Sequence, residues 1–349
     1  MRTIPIHTSD RITFKKCRRK WDFSSPIRQG YKRKEGAKPL EFGTAIHAAL
    51  EVYYNPETWN WLKDDRREVV HGLVLMAFVQ TNKLHRLARG ENISEEDKED
   101  FAERQALGIG MLQNYFLWAP DNDAWFTPVC VEQKFEVPID GVWGHLDDQP
   151  MYRGKLDVLA VDKDDWYWII DHKTAARLEE QGPFLELDEQ CGSYAWAVQK
   201  QLGIRVAGVI YNELYKGHPL PPNLNKNQRE GRWYSVNRQQ DTSYEMALHT
   251  LTEANEPLHL YEDYLTFLRN DGKQYVRRTI TQRSQEELEN LGMQIAGEVV
   301  DMLEDPKIYP NPDKFSCRWC DYQLPCLATN DGSDVKWILK ENYVVDVER

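Results

Sequence analysis

The stretch from Gly154 to Thr174, GKLDVLAVDKDDWYWIIDHKT, constrains this chain more than any other. An alternating run, Leu156–Asp162, and an aromatic and β-branched run, Trp166–Ile170, flank the charged break Lys163-Asp164-Asp165. That pattern reads as an antiparallel hairpin. A loop over 163–165 sets Asp162 opposite Trp166 and therefore Asp157 opposite Asp171. Residues so opposed have Cβ atoms roughly 4.5–5.5 Å apart. Side chains alternate along a strand, so Asp171 and Lys173 share a face and His172 points away. Two bare carboxylates ~5 Å apart repel by roughly 3 kcal/mol at an effective dielectric near 20. Something positive belongs between them, and a hard divalent cation such as Mg2+ or Mn2+ suits oxygen ligands. The competing reading is an exposed hairpin with solvated charges, and the hairpin alone leaves both open.

Composition bounds the rest. The 349 residues are 41% apolar, with 12 Trp and 17 Tyr, enough for one large domain or two modest ones. No run of about 18 apolar residues occurs, which argues against a membrane span. The N-terminus, MRTIPIHTSDRITFKKC, lacks the apolar core of a signal peptide. A cytoplasmic location follows as the expectation, and there six cysteines serve metal binding more readily than disulfides. The formal net charge of −12 speaks against nucleic acid, yet residues 1–40 hold twelve Lys and Arg against three acids. Basic clusters recur at Lys226, Arg229 and Arg232, and at Arg269, Lys273, Arg277 and Arg278. They are either solvated faces or a track for a polyanion such as DNA.

Taken in order, Ser9 reads as the N-cap of a helix carrying Ile12, Phe14, Cys17 and Trp21, followed by a basic linker from Arg28 to Pro39. Helices are expected over 41–51, 65–87 and 94–118, the last opened by Ser94-Glu95-Glu96-Asp97. The first strand is expected at Val129–Val137, ahead of the hairpin. A helix over 187–202, a strand over 206–215, a loop over 216–232, a short strand at 233–236 and helices over 244–253 and 284–303 complete the pattern. That order is an α/β core inside a helical wrapper. Its expected organisation is a basic segment (1–40), a helical region (41–125), an α/β core (126–240), a second helical region (241–327) and a tail (328–349).

Near the C-terminus, Cys317-x2-Cys320-x5-Cys326 places three thiols within ten residues, one short of a closed zinc or iron–sulfur site. The last histidine is His259, so the fourth ligand comes from elsewhere. Cys17 is the choice because it lies in a polar, basic helix, whereas Cys130 and Cys191 stand in apolar runs that favour plain burial.

These motifs together resemble the RecB-like, iron–sulfur branch of the PD-(D/E)XK nuclease superfamily. Its members include CRISPR-adaptation exonucleases, the AddB nuclease domain and phage exonucleases. The matching residues are Gly43-x-x-x-His47, Gly154-x-x-Asp157, Asp171-His172-Lys173, Gln190-x-x-x-Tyr194, and Cys17 with Cys317, Cys320 and Cys326. The resemblance implies a small mixed sheet of restriction-endonuclease-like type flanked by helices, with the chain ends joined by a cysteine-ligated 4Fe-4S cluster. It implies that His47, Asp157, Asp171 and the backbone carbonyl of His172 bind one or two Mg2+ or Mn2+ ions. Lys173 would then orient or help deprotonate the attacking water, and Glu132 resembles an additional acidic position. Gln190 and Tyr194, four apart, share a helix face and could reach the phosphate or scissile strand. The activity implied is DNA hydrolysis, most simply as an exonuclease on single-stranded or frayed ends. A DNA-binding or nuclease subunit of a helicase–nuclease or CRISPR-adaptation complex is the alternative. The chain has no G-x-x-x-x-G-K-[ST] motif, so a helicase or recombination partner would have to bring any motor.

Overall fold

The structure, a computed structural model, describes residues 3–34, 38–88, 90, 94–141, 148–178, 183–304 and 306–345. The chain opens with strand β1 (Thr3–Ile6), helices α1 (Thr8–Lys16) and α2 (Arg18–Ser24), and strand β2 (Tyr31–Arg33). Three long helices follow: α3 (Lys38–Tyr53), α4 (Arg67–Ala88) and α5 (Glu95–Asn122). The expected cap at Ser94 forms, its hydroxyl accepting the Asp97 N–H at 3.1 Å. Next come β3 (Phe126–Pro138), β4 (Gln149–Asp162), β5 (Tyr167–Ala175), α6 (Pro183–Glu186), α7 (Glu189–Leu202) and β6 (Val206–Tyr215). A hairpin of β7 (Leu224–Arg229) and β8 (Arg232–Tyr234) leads to α8 (Tyr244–Glu253), α9 (Glu262–Asp271), β9 (Val276–Gln282) and α10 (Gln285–Leu303). Short helices α11 (Lys314–Arg318), α12 (Gln323–Asp331) and α13 (Val335–Asn342) precede the last strand, β10 (Tyr343–Val345).

The architecture is mixed α/β, built on a six-stranded mixed sheet. The β4–β5 hairpin has the register read from the sequence: Val158 pairs Ile170, Leu159 pairs Ile169, Ala160 pairs Trp168 and Val161 pairs Tyr167. The crossover through α7 returns the chain to β6 parallel to β5, and β9 adds antiparallel to β6. β3 pairs along one whole edge of β4. The other edge is shared: β1 holds Gln149–Tyr152 and β5 holds Val158–Val161. Between them no described strand pairs with β4 on that edge, and Asp157 lies in the gap.

Alternating side chains send two cores to opposite faces of the sheet. Leu159, Ile169, Val209 and Tyr211 pack under α7 and α10 with Phe14 and Trp21, while Val158, Ile170, Ile210 and Leu214 pack under α3, α4 and α5. The chain ends meet in a third, small cluster of Phe23, Tyr322, Leu339 and Tyr343, and β10 pairs antiparallel with β2 beside it.

Several expectations are corrected. The first helix breaks at Cys17, whose extended backbone (φ −160°, ψ 105°) separates α1 from α2. β1 and β2 precede the strand expected to be first, because their few residues gain their pairing only from distant partners, β4 and β10. The segment 216–232 is not simply a loop, since residues 224–229 enter the β7–β8 hairpin. No described helix is long and apolar enough to cross a membrane.

One glycine tests the sheet. A Cβ on Gly208 would lie 2.0 Å from the Thr281 carbonyl oxygen on β9, and backbone cannot give way as a side chain can. Gly208→Ala should cost at least the ~1–3 kcal/mol typical of overpacking. Gly297→Ala in α10, with nothing within 4 Å of the added carbon, should stabilise by about 0.5–1 kcal/mol. Chemical denaturation of both variants checks the pair.

Candidate metal centre

The gap on the β4 edge makes the site. The last ladder pair is Val158–Ile170, so beyond it the Asp157 carboxylate stands where a strand carbonyl would. Its Oδ2 accepts the His172 N–H at 2.8 Å, and its Oδ1 lies 3.2 Å from His47 Nδ1 on α3. Across β4, Val131 pairs Val158 and Gln133 pairs Leu156, which brings Glu132 level with Asp157. Glu132 has a left-handed backbone, φ 49°, costly for a non-glycine residue inside a strand and tolerated where a side chain must be re-aimed. Ligand atoms of His47, Glu132 and Asp157 all lie within 4.8 Å of one another. An imidazole with two carboxylates can hold a divalent cation, so the residues present fit one.

Asp171 is the neighbouring carboxylate, outside that trio. It is 4% exposed, and Lys173 Nζ lies 2.8 Å from Oδ2 and 3.0 Å from Oδ1. Gln190 on α7 also reaches it, Nε2 to Oδ1 at 3.4 Å. Tyr194, one turn on, has no hydrogen bond to Asp171 among the described residues; its ring meets Phe135 edge-on at 5.2 Å. Gly154 has a spatial reason, since a Cβ there would lie 2.2 Å from Phe135 Cζ and displace the ring that supports Tyr194. Gly43 has none: its Cβ would make an ordinary contact, 3.6 Å from Thr174 Oγ1. His172 turns its imidazole to the opposite face, as the alternation requires, where it is buried and stacked on Tyr54.

Electrostatics separates the two aspartates. Burial raises the Asp157 pKa, but the hydrogen bond and charge of His47, with the His172 N–H, outweigh it and pull the group down to about 2. Burial dominates at Asp171 and, with Asp157 nearby, lifts it to about 6 despite Lys173. Burial works against the charge of Lys173, yet Asp171 and Asp157 outweigh it and raise its pKa. His47 behaves likewise, raised by Asp157 against its own desolvation.

Burial separates only one of the six cysteines: Cys191 is buried, while Cys130 is half-buried like Cys17, Cys317, Cys320 and Cys326. Cys17 Sγ accepts the Asn311 N–H at 3.5 Å, Cys317 Sγ the Asp313 N–H at 3.4 Å, and Cys326 Sγ an Arg19 N–H at 3.7 Å. Burial raises the Cys320 thiol, with Cys17 and Cys317 close enough to add to it. Among the described residues no three cysteine sulfurs come within 4.8 Å of one another, so these thiols do not form a tight single-ion cage.

The sequence reading missed the polar layer behind His172. Asn212 is fully buried on β6, and Arg278, read as part of an exposed basic cluster, is 8% exposed at its side chain and ion-paired with Asp123 at 2.6 Å. A polar residue inside the apolar run Val206–Tyr215 was the signal available for Asn212.

A model of the PD-(D/E)XK nuclease superfamily matches residues 9–326. No curated protein matches the chain. Among solved structures, the crystal structure of SSO0001 is similar at 10% identity and a TM-score of 0.30, over 80% of this chain and 84% of that one. A score that low carries no argument.

The paired aspartates make a pH prediction. Asp171 has a folded pKa of about 6 against an ordinary 3.8, so its ionisation destabilises the metal-free protein as pH rises between those values. The stability of Asp171→Asn relative to the wild type should therefore rise as pH increases from ~4 to ~6, whatever the constant cost of removing the partner of Lys173. Thermal melts in EDTA across that range check it.

Proposed function

The chain belongs to the PD-(D/E)XK nuclease superfamily, and from that premise we propose that it is a Mg2+- or Mn2+-dependent deoxyribonuclease acting on single-stranded or frayed DNA ends. The observation carrying the proposal is the trio His47, Glu132 and Asp157 set beside the Asp171–Lys173 pair. Hydrolysing a phosphodiester needs water activated at neutral pH and charge neutralised on the phosphate oxygens. A divalent cation held by His47, Glu132 and Asp157, with Asp171 alongside, supplies both.

The chain's own residues do the remainder. Asp157 is ionised at any working pH, so its ligand role needs no proton removed. The raised pKa of Lys173 keeps an ammonium at the site, which orients water and phosphate by donating hydrogen bonds instead of taking a proton. Gln190 holds Asp171 and leaves α7 facing the substrate side. Tyr194 supports this face through Phe135. For the single-strand preference, Phe315 and Trp319 are 77% and 80% exposed. Stacking of a base on such a ring contributes ~1–3 kcal/mol and needs no duplex. We further propose that Cys17, Cys317, Cys320 and Cys326 hold a 4Fe-4S cluster. N–H donors on three of these sulfurs support it, since such hydrogen bonds stabilise thiolate ligands.

Labelled single- and double-stranded oligonucleotides with Mg2+, Mn2+ or EDTA test the activity. Asp157→Ala and Lys173→Ala should each lower cleavage by at least ~100-fold while the fold and DNA binding persist. Wild-type rates in either variant would sink the assignment.

The cluster makes a separate prediction. Protein purified without oxygen should be brown, with about four iron and about four sulfide per chain. Cys17→Ser should bleach it and lower the melting temperature, because ligation across ~300 residues closes a long loop. Cys191→Ser should leave the colour unchanged. Zinc in place of iron would overturn the cluster and leave the nuclease standing.

A further inference from the structure

We propose that Asn212 and Arg278 are positioning residues for the hydrolytic site, holding the His172 main chain so that its N–H orients Asp157; this rests on the nuclease reading above. His172, Asn212 and Arg278 are direct cross-strand neighbours on β5, β6 and β9, so they form one polar rung across three strands. Asn212 Nδ2 donates to His172 Nδ1 at 2.9 Å. Arg278 Nε donates to Asn212 Oδ1 at 3.1 Å, which fixes the amide with its NH2 towards His172. Arg278 is itself fixed by Asp123 at 2.6 Å, by the Asn122 carbonyl at 3.0 Å and by the Tyr54 hydroxyl at 3.0 Å. Tyr54 closes the circuit, because its ring stacks on His172 at 5.3 Å.

Two features point to positioning over stability. The rung lies on a face otherwise packed with Ile170, Ile210, Leu214 and Val276. A buried Arg–Asp pair there is no better for stability than apolar side chains of similar volume, because desolvation cancels most of its attraction. In addition, His172 Nε2 is buried with no hydrogen-bond partner, a cost of about 1–3 kcal/mol that an apolar side chain would avoid. What the rung does secure is the place of His172, whose main chain has passed the end of the β4–β5 ladder and meets β4 there through the Asp157 carboxylate.

The test replaces the rung. The triple variant Asp123→Leu, Asn212→Leu, Arg278→Met fills it with apolar side chains. Asn212→Leu alone removes both the donor to His172 Nδ1 and the acceptor for Arg278 Nε. Val299→Ala, at a buried position in α10 away from the rung, serves as the control for lost stability. Each folded rung variant should lose about 10–100-fold in kcat with KM for a single-stranded oligonucleotide little changed, as for other groups that orient a ligand. Mn2+ binding without DNA, measured calorimetrically, should weaken by about tenfold or more in parallel. Val299→Ala should melt earlier and keep both. Rung variants that fold and retain kcat and Mn2+ affinity within about twofold would overturn the proposal. Failure of both to fold would overturn it as well, by making the rung a stability device. If the wild-type protein cleaves no DNA, the nuclease reading fails and the Mn2+ arm alone decides the rung.

Discussion

One hydrogen bond organises the site: the His172 N–H to the Asp157 carboxylate at 2.8 Å. A strand edge left unpaired inside a protein is costly, and β4 passes from β1 to β5 with such an interval between. Filling the interval with a carboxylate instead of a carbonyl satisfies the donor and fixes a negative charge in the middle of a sheet. His47 is then drawn to that charge from α3, Glu132 is brought level with it by the β3 register and balanced by Lys155, and Asp171 is left beside it on β5. The candidate metal site is thus a consequence of where the ladder ends.

That consequence was partly legible in the sequence. Register in a hairpin follows from loop length and pattern, so the pairing of Val158 with Ile170 could be read from the break at 163–165. The crossover through α7 and the strand Val206–Tyr215 were equally local signals. β1, β2 and β10 were not, since three or four residues carry no periodicity and exist only because a distant strand accepts them. Arg278 misled for a related reason. Sequence gives its charge, but only the fold gives its Asp123 partner, 155 positions away, that allows it to be buried. Glu132 could be suspected as an acid near the site, but its re-aiming depends on a left-handed backbone that no residue type advertises.

The chain ends are tied to the site through the other face of the sheet. The Thr8 hydroxyl contacts Tyr152, Tyr152 donates to Ser193 at 2.6 Å, and Ser193 donates to the Gln190 carbonyl at 2.8 Å. Beside them Arg11, fully buried, pairs with Glu298 at 2.6 Å and Glu189 at 3.3 Å, bolting α1 to α10 and α7. Since α2 continues from Cys17 into the aromatic cluster that joins the chain ends, the helix presenting Gln190 is braced by the same segment that carries Cys17. Loosening at the cysteines would therefore reach α7 through α1, a mechanical link that no side chain of the metal trio provides.

Each carboxylate of the site has its own partner: His47 for Asp157, Lys155 for Glu132 and Lys173 for Asp171. The partners are unequal. Lys173 is held by a buried aspartate and has its pKa raised, so it stays. Lys155 is 51% exposed on a flexible stem, so it can swing into solvent at little cost. A divalent ion held by His47, Glu132 and Asp157 would take over at Glu132 the balancing charge that Lys155 now supplies, and the Asp171–Lys173 pair would stay intact beside it.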